Sequence, residues 1–215
     1  YANAGEPFVI ESATEGKKTP VTIYGETTPN PAVLKFVWNK LLTKHAVECK
    51  NIDETQASPL AKTLFEQFPF VREIFIDENY ISITKYDSYN WDSITLEVRT
   101  FIKNYIENGG EIVNESALAN TPKQEKQAIT HFENLDTTSQ QIVNILEEYV
   151  KPAVQADGGN ILFDSYDENE KRVKVILQGA CSGCPSSTFT LKNGIENMLK
   201  DMLKNPELVV EAINM

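Results

Sequence analysis

The chain has 215 residues, 41% of them hydrophobic and 24% charged, with a formal net charge of −11. That length accommodates one large domain or two small ones, each burying its own core, and the composition excludes a disordered chain. No apolar run approaches the roughly 20 residues needed to span a bilayer, and the acidic balance excludes nucleic acid or an anionic membrane as the main partner, because those surfaces require clustered Lys and Arg.

Residues 1–20 read as an N-terminal arm, with an entry strand around Phe8, Val9 and Ile10 and a polar turn at 15–19. A strand follows through Val21, Ile23 and Tyr24, then the rigid turn Thr28-Pro29-Asn30-Pro31, whose prolines forbid a regular ladder. Val33, Leu34, Phe36 and Trp38 suit the strand it feeds. Ser58-Pro59 is an N-cap followed by proline at the first helical position, with Leu60, Ala61, Leu64, Phe65 and Phe68 on one helical face. The alternation over 71–85, broken at Asp77-Glu78-Asn79, predicts a β-hairpin. From Trp91 onward, Ile94, Val98, Phe101, Ile102, Tyr105 and Ile106 recur at helical steps until Gly109-Gly110. These elements compose a domain over 21–110 with two helices on one face of a sheet.

Residues 111–138 turn polar and aperiodic and read as a linker, interrupted by at most a short helix over 128–132. A second domain occupies 139–215. In it Ile142, Val143, Leu146, Tyr149 and Val150 predict a helix face that Pro152 kinks or ends, and Asp157-Gly158-Gly159 caps the exit. Two strands, 161–165 and 172–177, are joined by a charged turn and deliver the chain into Gly179-Ala180-Cys181-Ser182-Gly183-Cys184-Pro185. A helix striped with Leu191, Ile195, Met198, Leu199 and Met202 follows, Asn205-Pro206 ends it, and a last strand occupies 208–213. The fold class is therefore α+β: two small domains, each a sheet packed against helices, joined by a polar linker.

The chemistry concentrates at Cys181 and Cys184, two thiols that can reach one metal or one another. Pro185 suits the first turn of a helix, so both sulfurs are expected just before a helix start, where the dipole and unpaired N–H groups favour thiolate. The loop reads as dispensable for the core, so paired serine substitutions are expected to leave the fold intact. One chain supplies half of a four-thiolate shell, since Cys49, His45 and His131 lie elsewhere in the sequence. Two copies face to face would hold one zinc, a [2Fe–2S] or a [4Fe–4S] cluster. A dithiol–disulfide oxidoreductase is the alternative from enzyme chemistry. Against it, one helix and one strand after Cys184 are too little for the rest of a thioredoxin sheet, and proline follows the pair instead of separating it.

The run Val150-Lys151-Pro152-Ala153-Val154-Gln155-Ala156-Asp157-Gly158-Gly159, then Leu177-Gln178-Gly179-Ala180-Cys181-Ser182-Gly183-Cys184-Pro185-Ser186-Ser187, resembles the C-terminal domain of NifU that Nfu-type proteins share. Thr190-Leu191-Lys192-Asn193-Gly194-Ile195-Glu196 extends the likeness. The first half is similar to the Nfu N-terminal domain at Thr28-Pro29-Asn30-Pro31, Leu34-Lys35-Phe36, Ser58-Pro59-Leu60-Ala61 and Ile81-Ser82-Ile83-Thr84-Lys85, with Ala32 where that family has Asn. The resemblance implies an iron–sulfur cluster carrier or scaffold, not an enzyme. In it Cys181 and Cys184 of two chains would hold a bridging cluster, usually [4Fe–4S], for transfer to apo-proteins. The implied partners are a second copy of the chain, apo iron–sulfur proteins and cluster-assembly proteins.

Other residues take structural readings first. Cys49 reads as a small buried hydrophobe, Trp38 and Trp91 as core or strand-edge anchors, and His45 and His131 as surface or linker residues. Asp157-Gly158-Gly159 is a helix exit that could also shape the cluster pocket. Phe189, off the helix stripe, is a candidate for a dimer contact or a shield over the cluster. Three cysteines do not make the dense framework of a secreted protein, and the first residues have neither a signal-peptide core nor an Arg-rich transit character. A cytoplasmic location is expected, with an organellar form left open because the sequence does not begin with Met.

Overall fold

The computed structural model describes residues 22–118, 135–182 and 185–214. The entry strand at Phe8, the turn at 15–19, the helix over 128–132, His131 and Cys184 lie outside the described residues. The architecture is α+β, with two sheets that each carry helices.

The first sheet is antiparallel in the order β1-β2-β5-β4-β3, from β1 (Ile23–Thr27), β2 (Val33–Trp38), β3 (Val47–Cys49), β4 (Val71–Asp77) and β5 (Tyr80–Lys85). Asn30 shapes the turn into β2: its side chain accepts from the Ala32 N–H at 3.1 Å and its carbonyl from the Val33 N–H at 2.9 Å. The β4–β5 turn is tighter than the three residues expected. Asp77 still pairs with Tyr80, which leaves Glu78 at φ 40° and Asn79 to reverse the chain. Cys49 ends β3, an edge strand too short to give a period in the sequence.

Two helices cover one face. In α1 (Pro59–Gln67) the buried Ser58 hydroxyl accepts from the Ala61 N–H at 3.1 Å, while Leu60, Ala61 and Leu64 turn inward. In α2 (Trp91–Glu107) Asn90 caps the start, Ile94, Val98 and Ile102 face the sheet, and Gly109 leaves at φ 78°. Both helices pack on Leu34, Phe36, Ile74, Ile76, Ile81 and Ile83, which period-two alternation puts on one side. Ile112, Val113, Ala117 and Leu118, assigned to a polar linker by the sequence reading, pack against this core, the last two from α3 (Glu115–Leu118). The Ser58 hydroxyl fastens them by donating to the Ile112 carbonyl at 2.7 Å.

The other face is not open to water. All six residues of β2 and all six of β5 are buried, including Lys35, Tyr80, Ser82 and Thr84, so the side away from the two helices is covered as well. The second half of the chain lies against it.

That half begins with α4 (Thr137–Ile145), a π-helical turn over Leu146–Val150, and α5 (Lys151–Ala156). Of the two outcomes the sequence allowed at Pro152, a kink or an end, the helix does not end. Proline lacks an N–H and its ring clashes with the carbonyl four residues back. The wider turn, in which the Lys151 N–H reaches the Leu146 carbonyl, lets the helix continue around it. The added residue shifts the phase, leaving Tyr149 exposed and turning Val150 and Val154 inward. A sheet β6-β7-β8 follows: β6 (Gly159–Asp167) and β7 (Arg172–Gly179) are antiparallel, and β8 (Val209–Asn214) is parallel to β7. The crossover between those parallel strands is α6 (Pro185–Leu203). Ile195 and Leu199 of α6 meet Ile161, Val173, Val175, Leu177 and Val210 in the second core. Met202, placed on the buried stripe by the sequence, is exposed. Among the described residues, no helix is long and apolar enough to cross a membrane.

Candidate functional site

Strand β7 ends at Gly179 with φ 64°, a conformation that side chains disfavour. The Gly179 carbonyl then accepts from both the backbone N–H and the hydroxyl of Ser182, at 3.1 and 2.9 Å, folding the chain into a tight turn. The Ala180 N–H donates to the Gly158 carbonyl at 3.2 Å, and Thr188 of α6 donates its hydroxyl to the Cys181 carbonyl at 2.9 Å. The loop is thereby tied to the exit of α5 on one side and to α6 on the other. Cys181 sits just ahead of that helix, as its spacing predicts.

Its environment is not the one expected. Cys181 is only 5% exposed and belongs to the second core, packed with residues such as Ile161 and Leu177. Burial pushes its thiol up to about 12, with the nearby Asp157 carboxylate adding to the effect. The sequence reading anticipates a thiolate stabilised by the helix start. In the structure, burial disfavours the charged sulfur, and the thiol form is favoured instead. Space around the sulfur is also limited. A Cβ on Gly159 would lie 2.8 Å from Sγ, so Gly159 shapes the pocket of Cys181 in addition to following the helix exit.

Residues of the first half enclose this end of the second half. The Ser82 hydroxyl donates to the Gly158 carbonyl at 2.7 Å, and the Tyr80 hydroxyl donates to the Gly159 carbonyl at 2.8 Å. The Gly179 N–H donates to Glu48 Oε1 at 2.9 Å, Gln155 Nε2 to Asp77 Oδ2 at 3.2 Å, and Lys35 Nζ to the Ala156 carbonyl at 3.4 Å. A Cβ on Gly179 would meet the Phe75 ring at 2.7 Å. Burial raises the pKa of Glu48 and of Asp77 above the usual carboxylate range and that of Tyr80 above the usual phenol value. None of these first-half residues was singled out from the sequence as part of a site. The available signal was the uncharged Tyr80, Ser82 and Thr84 on the side of β5 away from the helices, where a solvated face would carry charge.

The remaining candidates separate cleanly. Cys49 is fully buried in the first core, its Sγ–H donates to the Glu54 carbonyl at 3.4 Å, and its thiol is pushed up to about 12, first by burial. It is a core residue. Trp38 is buried, and Trp91 packs edge-on to Phe36 with ring centroids 6.3 Å apart. His45 is exposed. Phe189, on the second turn of α6, is 66% exposed. Among the described residues, no three His, Cys, Asp or Glu side chains gather as a metal site.

Comparison with known proteins divides the chain as the two cores do. Residues 23–109 match the family model described as the Scaffold protein Nfu/NifU N terminal, and residues 142–210 match the NifU-like domain. The chain is similar to "NifU-like protein 4, mitochondrial" of Arabidopsis thaliana, 35% identical over 86% of this chain and 63% of that protein. It is similar also to the "NFU1 iron-sulfur cluster scaffold homolog, mitochondrial" of Drosophila willistoni, 36% identical over 93% of this chain and 66% of that protein. It thus spans a little less than two thirds of each relative's length. A NifU-like protein from Saccharomyces cerevisiae, solved in solution, aligns with 52% of this chain and 98% of its own, at 25% identity and a TM-score of 0.41.

Proposed function

Because the chain belongs to the NifU/Nfu family, we infer that it is an iron–sulfur cluster scaffold or carrier, with the cluster as cargo to be passed to apo-proteins. The observation that carries this reading is the delivery of Cys181 by β7 into a backbone-fastened turn ahead of α6, within the part of the chain that matches the NifU-like domain. Cys184, three positions on in the sequence, supplies the second thiol.

Two thiols per chain leave a cluster half ligated, so the reading includes a second copy of the chain and a shared, four-thiolate [4Fe–4S] cargo. Each thiol gives up its proton as its bond to iron forms. For Cys181 the burial that keeps the thiol neutral opposes that loss. Delivery is ligand exchange: thiolates of the recipient replace those of the carrier, and no bond of an organic substrate changes. The protein is therefore read as a carrier and not as an enzyme. A dithiol–disulfide exchange role would need an activated nucleophile, whereas burial pushes the Cys181 thiol up. Both relatives are named as mitochondrial. We place this chain in the same compartment, and the cytoplasmic expectation finds no support among them.

Anaerobic reconstitution with iron and sulfide tests the reading. The expected product is a brown dimer with about two irons per chain, as four irons shared by two chains require. Cys184→Ser should abolish iron uptake. A colourless, monomeric product would overturn the proposal, and a dimer that takes up zinc but no iron would replace it with a structural zinc bridge.

A further inference from the structure

Among the described residues, hydrogen bonds from the polar side of the first sheet to the second half of the chain converge on the backbone flanking Cys181. Strand alternation puts Lys35 of β2, Asp77 of β4, Tyr80 and Ser82 of β5 and Glu48 of β3 on the side opposite α1 and α2. Each of the five makes a hydrogen bond to residues 155–159 or 179.

The partners of three of them are carbonyls at and just beyond the C-terminus of α5, where helix carbonyls have no partner within the helix. Lys35 brings a cation to the negative end of that helix, and Ser82 and Tyr80 supply hydroxyls. Glu48 takes the N–H of Gly179, two residues before the cysteine. Tyr80 holds the carbonyl of Gly159, the residue whose Cα faces Cys181 Sγ. The contact therefore lies on the backbone flanking the candidate ligand, whose side chain packs within the second core. It is also of a releasable kind. Water can satisfy the same carbonyls, and the face mixes the charged Lys35, Glu48 and Asp77 and the hydroxyls of Tyr80 and Ser82 with the apolar Val37 and Phe75, so it is less apolar than an obligate interface.

We propose that the first half is an intramolecular cap: the polar face of its sheet latches onto the α5 exit and the end of β7, keeping Cys181 out of reach until the latch opens. The cap itself stands on this geometry. That its release precedes cargo loading rests on the cluster reading above.

The test is alkylation of the metal-free full chain with N-ethylmaleimide, read at each cysteine by peptide mass spectrometry, together with the radius of gyration from small-angle scattering. Ser82→Lys places bulk and charge against the Gly158 carbonyl without touching the cysteines. The native chain should alkylate slowly at Cys181. Ser82→Lys should raise that rate about tenfold or more, the factor that one buried hydrogen bond of ordinary strength represents, and should expand the molecule. Cys49 should stay protected in both. If Cys49 also becomes reactive, Ser82→Lys has unfolded the first half, and the double variant Tyr80→Phe with Ser82→Ala, which removes two latch bonds and adds no bulk, decides instead. Cys181 reacting equally fast in the native chain and in the deciding variant would overturn the cap. Faster alkylation in a variant that takes up no iron and sulfide would uphold the cap and remove the cluster reading.

Discussion

Cys181 answers to two requirements, as a candidate ligand and as a member of the second core. The spacing to Cys184 made the first legible in the sequence. The second was not, because a thiol between Ala180 and Ser182 in a glycine-flanked loop gives no apolar pattern. The expectation that serine at both positions leaves the fold untouched therefore gives way at Cys181. Cys181→Ser puts a hydroxyl into an apolar pocket and should cost about 1–3 kcal/mol where it finds no partner. Cys181→Ala, which adds no polar group, should cost less. Urea denaturation midpoints of the two variants decide: a serine variant as stable as the native chain would show that the thiol is not a packing element. Glu48, Tyr80 and Ser82 illustrate the opposite limit. Their hydrogen bonds cross 131, 79 and 76 residues of chain, and no local pattern encodes a partner at that separation.

Elements whose own residues bury their face were read well. Ser58-Pro59 announced α1, and the hairpin β4–β5 and the stripe of α6 followed from periodicity. Elements that depend on a neighbour were not. The three residues of β3 exist because β4 offers an edge, and α3 because Ser58 holds the Ile112 carbonyl. Ser58→Ala removes both that bond and the cap of α1, and should cost about 1–2 kcal/mol as strong caps do, measured by thermal or urea unfolding. A second device joins α6 to β8. Glu196 accepts from Lys200 Nζ at 2.7 Å and from the Val210 N–H at 3.0 Å, and these two bonds hold its carboxyl below the usual glutamate range. A lowered carboxyl stabilises the fold at pH above its unfolded value, and the contribution is lost as pH falls through the folded one. Native protein should therefore lose melting temperature on acidification through and below the usual glutamate range. Glu196→Gln should be less stable near neutrality and show a shallower acid slope; an unchanged slope would remove Glu196 from the acid response.

At the scale of the molecule, the decisive feature is the second face of the first sheet. The sequence reading placed two helices on one face of the sheet; in the structure both sides of β2 and β5 are buried, one by α1 and α2 and the other by the cysteine-bearing end of the second half. The cap and its alkylation test belong at this scale, since no single element produces them. The sequence by itself determined the α+β class, the two sheet-and-helix units and the cysteine pair, because hydrophobic period, caps and ligand spacing are local properties of the chain. Only the tertiary structure decided that Cys181 is a thiol buried in the second core and that Lys35, Glu48, Asp77, Tyr80 and Ser82 share one surface against residues 155–159 and 179. Desolvation and long-range hydrogen bonding depend on which surfaces meet, and that is fixed when the two halves pack, not by the order of residues within either.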